Sequence, residues 1–281
     1  MKNFGRKIEL LIADQNGHAL DLSGFRVVFS VEKSAAEQPN KAHIEITNLS
    51  ETTASYLLNG DMKRIVLQAG YDDNYGVIFD GNIISATRTI EGTESTTVID
   101  AGDGDNAYSF SVVNQTISSG YSSKDIANTV ASTMSERGTR GIDASGVDEA
   151  IKYPRGRTMF GASRDYARLV AKSSQCQWSI QDGQVVFCKQ NAARAGVIAF
   201  VLTPESGLIG SPVSDKDGVT AIACLNPQLK IYDPLQIESR FVKGTYKILS
   251  VKHSGDTHGN VWQTEVKATA IDQSTKRTTQ V

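Results

Sequence analysis

The chain has 281 residues, of which 40% are hydrophobic and 21% charged, with a formal net charge of -2. A chain of this size removes roughly 75% of its unfolded surface from water, enough for more than one core, while the near-zero charge leaves no overall basic field to recruit nucleic acid or a membrane surface. No stretch approaches the ~18 apolar residues of a membrane span, and the N-terminus MKNFGRKIELLIADQNGH, broken by Glu9 and Asp14, lacks a secretory h-region; the expectation is a protein made and folded in the cytoplasm without a membrane anchor.

Lys7 to Ala13 (KIELLIA) reads as a strand, the Asn16-Gly17 step as a hairpin turn, and Leu20 to Leu22 as the start of the return. From Phe25 to Gly104 apolar side chains recur at every second position, as in Ile44 and Ile46 or Ile65 and Leu67. This is the period of a half-buried strand. The spacers are built from Gly, Asn, Asp, Ser and Thr, so the stretch is an antiparallel β-unit, expected to form a small barrel. EKSAAEQPNK, which contains Pro39, reads as a surface connection. NLSETTASYLLNG is a short helix with Ser50 as N-cap, Ala54, Leu57 and Leu58 as its inward stripe, and Gly60 beyond its end.

Beyond Asp105 the pattern changes. NAYSFSVVNQTISSGYS keeps a strand-like alternation, and Ser122 then precedes a helix carrying Ile126, Val130 and Met134 at helical spacing. A second helix covers Arg164 to Ser173, with Tyr166, Leu169 and Val170 as its stripe. CQWSIQDGQVVFC is a hairpin turning at Asp182-Gly183, which sets Ile180 against Val185 and Trp178 against Phe187. NAARAGVIAFVLTPESGLIGSPVSDKDGV reads as a connection. Strand signals return in GVTAIACLN, LKIYDPLQIES, GTYKILSVKHSGD and NVWQTEVKATAID; the last two form a long hairpin through SGDTHGN. The tail DQSTKRTTQV has no apolar period and is expected to fray.

The resulting division is a first β-unit at 1–110, an α/β segment with two helices and a hairpin at 111–195, and a second β-unit at 196–281. The fold class is mainly β with a small α/β segment, two antiparallel β-barrel domains flanking the insertion.

Catalytic signatures are absent: there is no GxSxG, HExxH, GxxxxGK, or GxGxxG after a strand. Cys176, Cys188 and Cys224 have neither a CxxC spacing nor an even count, and read as buried small hydrophobes. His253, Asp256 and His258 lie within six positions and are candidate metal ligands. Against that, a hairpin tip need not converge them, and the preferred reading has His253 and Asp256 bonding the turn while Gly255 and Gly259 take positive φ. DAGDGDN at Asp100 to Asn106 lacks the spacing of a calcium loop and reads as a solvated strand end. Arg164, Arg168 and Lys172 form a basic stripe at i, i+4 and i+8, with Arg155 and Arg157 before it. Without interleaved aromatics or glycines a nucleic-acid role is disfavoured, so the alternatives are a solvated face, intersubunit salt bridges, or contact with an acidic protein. Trp178 and Trp262 sit on β-arms as core or interface anchors. No cofactor is expected.

FRVVFSVEKS, PNKAHIEITNLS, GVIFDGNI and SGLIGSP, with the LNPQL run around Pro227 and the ILSVKHSGDTHGNVWQT hairpin, together resemble the central baseplate hub proteins of contractile-tailed bacteriophages. That family includes the late-control D type and the hub part of type VI secretion spike proteins. The resemblance spans about Gly5 to Asp272. It implies a non-enzymatic virion protein of the tail baseplate: a homotrimer whose paired barrels match a hexameric tail tube to a trimeric central spike beside other baseplate proteins. DNA would pass through the lumen without specific binding. The alternatives are a peptidoglycan-degrading tail hydrolase, or an end-of-tail protein or receptor-binding β module of a non-contractile tail.

Overall fold

The computed structural model describes residues 4–14, 16–216 and 218–271. The chain opens with β1 (Arg6–Asp14), β2 (Ala19–Asp21), β3 (Val27–Ser34) and β4 (Asn40–Thr47), continues through helix α1 (Glu51–Leu58), and returns to β5 (Met62–Tyr71), β6 (Asn74–Glu91) and β7 (Glu94–Asp103). An α/β segment follows: α2 (Asp105–Phe110), β8 (Val112–Ile117), α3 (Ser123–Ser135), β9 (Gly141–Asp143), β10 (Arg157–Ala162), α4 (Ser163–Ser173), β11 (Cys176–Gln181) and β12 (Gln184–Lys189). The last part is β13 (Phe200–Leu202), β14 (Leu208–Ser214), β15 (Val219–Cys224), β16 (Pro234–Glu238), β17 (Lys243–Asp256) and β18 (Trp262–Ala270). The fold is mainly β with a small α/β segment.

Local chemistry accounts for the element ends. Ser50 accepts the Thr53 N–H at 3.1 Å and starts α1, and Gly60 follows it with φ of +74°. Ser122 and Asp125 form a reciprocal capping box on α3. Asp182 and Gly183 both take positive φ, 51° and 76°, which is what a two-residue turn with the right twist requires. Trp178 lies opposite Phe187 and Ile180 opposite Val185, in the register the alternation predicts.

Several expectations are corrected. The Asp105–Phe110 segment is helical, not extended, and the expected connection after Asn191 contains β13 and β14. Leu58 and Leu169 face solvent, because the buried stripes are Ala54 with Leu57 and Ala167 with Val170 and Ala171. The small alanines let the helices approach the core more closely than a stripe of leucines. The Asp272–Val281 tail lies outside the described residues.

The two β-units share one sheet of thirteen strands, in which β14-β15-β18-β17 runs on into β3-β4-β7-β6-β5-β1-β2. The join is made by β17. Its first half pairs with β16, from Glu238 opposite Lys243 to Pro234 opposite Lys247. Its second half pairs with β3, from Ser250 opposite Ser34 to Asp256 opposite Val28. β18 follows β17 on its other side, with a register shift between Ile248 and Ser250 where β17 exchanges partners. One apolar core lies inside β1 to β7 and draws in Leu225 and Trp262; a second fills the α/β segment around Trp178 and Met159; a third lies under β13 to β18 around Tyr246 and Val251.

Gly255 sits where β17 touches both neighbours. A Cβ there would overlap the Phe29 ring and lie 2.8 Å from Trp262 Cε3. Gly255→Ala is expected to destabilise the chain by about 1–3 kcal/mol through overpacking, whereas Ser254→Ala, whose side chain faces outward, should stay within about 0.5 kcal/mol; urea titration of both variants checks this.

Candidate functional site

Strand phase identifies the most unusual place in the molecule. On β3 the inward positions are Val27, Phe29, Val31 and then Lys33; on β4 they begin with Asn40 before Ala42, Ile44 and Ile46; on β7 they end Ile99, Ala101, Asp103. Each strand thus places a polar residue in its apolar phase at the same end, and Lys33, Asn40 and Asp103 are all buried. A buried polar group needs partners. The β11–β12 turn supplies them.

Asn40 Nδ2 donates to Gln181 Oε1 at 2.9 Å, to the Ile180 carbonyl at 3.0 Å and to Asp103 Oδ2 at 3.3 Å, while its Oδ1 accepts the Ser34 N–H at 3.0 Å. Gln181 Nε2 donates to the Ser34 carbonyl at 2.7 Å and to Ser179 Oγ at 3.0 Å. Asp103 Oδ1 accepts the Gly183 N–H at 2.9 Å. Lys33 is ion-paired with Asp182, and Lys230 lies 3.9 Å from the same carboxylate. The hairpin tip is therefore fastened to three strands of the first β-unit.

The same hairpin is fastened to the second unit. Tyr232 Oη lies 3.0 Å from Ser179 Oγ and donates to the Ala35 carbonyl at 3.2 Å. Lys247, fully buried on β17, donates to the Lys189 carbonyl at 2.7 Å, to Gln177 Oε1 at 3.2 Å and to the Gln190 carbonyl at 3.4 Å, with its ammonium 5.0 Å from the Tyr232 ring centre. Arg64 holds Asp80 in a fork at 3.0 and 2.9 Å, and Arg140 from the insertion pairs with the same carboxylate. These contacts set the insertion against both β-units at once.

Charge at the junction is strongly perturbed. Burial raises the Asp103 carboxyl to about 6, against the pull of nearby Lys33. Burial would also raise Asp182, but Lys33 and Lys230 outweigh it and hold that carboxyl below its ordinary value. His253, buried on β17, is pushed down to about 3 by desolvation and by Lys33. Thr264 Oγ1 accepts the Asn226 N–H at 3.0 Å and lies 2.9 Å from His253 Nδ1, so the buried imidazole keeps a hydrogen-bond partner. The arrangement is a buried clamp of fixed polar groups.

The candidates read from sequence lie elsewhere. His253 is turned into the core. Asp256 accepts from Arg26 at 3.0 Å and from the His258 N–H at 2.9 Å, and His258 Nδ1 lies 3.0 Å from Thr257 Oγ1. The three side chains do not converge, and the described residues contain no group of three potential metal ligands. Asp256 does bond the turn, but His253 does not, and neither Gly255 nor Gly259 has positive φ; both positions are glycine because a Cβ would meet Phe29 and Trp262 or the Asp256 side chain. The DAGDGDN segment is not a solvated strand end at Asp103. Of the basic stripe, Arg168 is paired with Glu37 at 2.7 Å and Asp165 at 3.1 Å, Arg164 donates to the Tyr108 carbonyl at 3.3 Å and stacks on that ring, and Lys172 is exposed.

The sequence profile of the family described as Baseplate hub gp41 matches residues 9–267. No curated protein matches the sequence. Among solved structures, the chain is similar to the 43 kDa tail protein of prophage MuSo2 from Shewanella oneidensis, with TM-score 0.65, 8% identity, and 95% of this chain and 98% of that one covered. A tail protein of Neisseria meningitidis MC58 gives TM-score 0.65 at 8% identity over 98% and 99% of the two chains. An Escherichia coli protein described as a component of the type VI secretion system gives 0.57 at 8% identity over 89% and 74%. At such identity these likenesses speak to the fold.

The two perturbed groups give opposite pH signatures. Asp103, raised in the folded state, contributes stability that is complete below its unfolded value near 3.8 and lost as pH rises through about 6. His253, lowered in the folded state, contributes stability present above its unfolded value near 6.5 and lost as pH falls toward 3. Asp103→Asn removes the first contribution, worth about 3 kcal/mol between its limits, so the variant is expected to lose stability more steeply than wild type on going from pH 6 to pH 4, as read by urea titrations across that range.

Proposed function

The chain belongs to the Baseplate hub gp41 family, a family of the phage tail baseplate, and from that premise we propose that it is a structural hub subunit that assembles as a homotrimer and joins a hexameric tail tube to a trimeric central spike, with no reaction of its own. We divide it into two tube-like units, 1–110 and 196–281, carrying the insertion 111–195 between them. Three apolar cores support that division in outline, with Leu225 and Trp262 joining the first, Ala107 the second, and Val186 and Cys188 the third.

The observation that carries the reading is the continuity of the sheet through β17. A subunit that adapts three-fold to six-fold symmetry must present two comparable faces at a fixed mutual angle, because any play between them spoils closure of the ring. A flexible linker cannot hold that angle; a shared strand with a buried polar clamp can. DNA passing through the ring lumen would meet no dedicated binding site. We assign a contact with an acidic neighbour to the outer face of α4 at the exposed Lys172; of the other two candidates, Arg168 would have to give up Glu37 and Asp165, and Arg164 is held by the Tyr108 carbonyl and ring.

Light scattering on the purified chain together with its spike protein is expected to give three hub chains per complex; a monomer alone that stays monomeric with the spike overturns the trimer. Lys172→Glu is expected to weaken copurification with the acidic neighbour while leaving the melting temperature unchanged. A peptidoglycan zymogram is expected to show no clearing, and clearing by the purified chain would reassign it as a hydrolase.

A further inference from the structure

The α/β segment carries a two-stranded ribbon, β8 against β10, with continuous register from Arg157 opposite Ile117 to Ala162 opposite Val112. One face packs Val113 and Met159 into the core. The other is open: Val112 is 58% and Phe160 75% exposed, with Phe110, 61% exposed, just before β8.

Hydrogen-bond phase distinguishes the two edges. The Ser163 N–H donates to the Ser111 carbonyl, so odd-numbered residues face across the ribbon and even-numbered residues face outward. On β10 the outward edge is occupied at its centre: the Phe160 N–H donates to Tyr166 Oη at 3.0 Å, and that hydroxyl donates to the Phe160 carbonyl at 3.4 Å. This also holds the Phe160 backbone in place with its ring in solvent. On β8 the outward N–H and C=O groups of Val112, Asn114 and Thr116 have no partner among the described residues.

Sheet edges in soluble proteins are normally blunted by charge, proline or a bulge. β8 has none of these, and from Asn106 to Ser123 the sequence contains no charged residue. The adjoining Ala150 to Ser163 carries Lys152, Arg155 and Arg157 and no acid; Lys152 lies 4.0 Å from Asp125 and Arg157 stacks over the Tyr166 ring at 5.7 Å, whereas Arg155 is exposed beside Gly156, which abuts the Ile117 carbonyl at the end of β8.

We propose that the β8 edge is a strand-addition site for an extended segment of another protein, with apolar residues in alternate positions over Val112 and Phe160 and a carboxylate directed at Arg155. The occupant is not a second β8, because that strand offers no acid to Arg155. The assignment stands independently of the trimer and of contacts on α4.

The test uses a labelled octapeptide of alternating valine and glutamate, with a valine–lysine octapeptide as counterpart, on the full chain. The acidic peptide is expected to bind by fluorescence anisotropy roughly tenfold or more tightly than the basic one, and to slow amide exchange at Val112, Asn114 and Thr116, which exchange freely without it. Asn114→Pro deletes an outward N–H without touching the ladder to β10, and should weaken binding roughly tenfold or more with an unchanged circular dichroism spectrum. Phe160→Ser should weaken binding while the edge stays intact. Absence of binding by the acidic peptide, equal binding by both peptides, or undiminished binding to folded Asn114→Pro overturns the proposal. Self-association that Asn114→Pro abolishes also overturns it, by giving the edge to a second copy.

Discussion

The exchange of partners along β17 is the constraint on which the rest of the molecule depends. A strand has two edges, and β18 occupies one of them from Tyr246 to Gly255; the other is divided between β16 and β3. Because backbone hydrogen bonds run continuously across that division, the orientation of one β-unit fixes the orientation of the other. Many weak bonds acting in register provide that stiffness, which no single strong contact could.

The polar clamp works against a different source of freedom. A continuous sheet can still twist and slide relative to a segment packed on it, and apolar contacts tolerate such sliding because they are non-directional. Lys33, Asn40, Asp103 and Lys247 do not tolerate it, since each is buried and would lose its partner on a small displacement. Removing one partner of such a pair costs more than the pair contributes, so the clamp selects a geometry more than it adds stability.

Much of the fold was legible in the sequence because it follows from local periods. Alternation located most of the strands, Ser50 and Ser122 marked two helix starts, and Asp182-Gly183 set the hairpin register. What escaped is non-local. Nothing near Asp105 or Phe200 reveals that one is helical and the other an edge strand, and the inward face of α4 is set by what packs on Ala167 and Ala171. The junction did leave a trace: Lys33, Asn40 and Asp103 each stand in an apolar phase, yet Pro39 and the glycines around Asp103 point equally well to a solvated turn. Only the arrival of Gln181 and Asp182 from a distant hairpin separates the two readings.

The β17–β3 ladder also has a consequence for the order in which the protein can be made. Its partners, such as Ser34 and Ser250, are more than two hundred residues apart in sequence. While the chain is being synthesised, the first β-unit can collapse on most of its core, but its β3 edge stays bare until β17, more than two hundred residues further on, has been made. The link that gives the finished subunit its rigidity thus forms only after the first β-unit has been made, and nascent or truncated chains ending before Ser250 carry an open strand that invites pairing with the wrong neighbour.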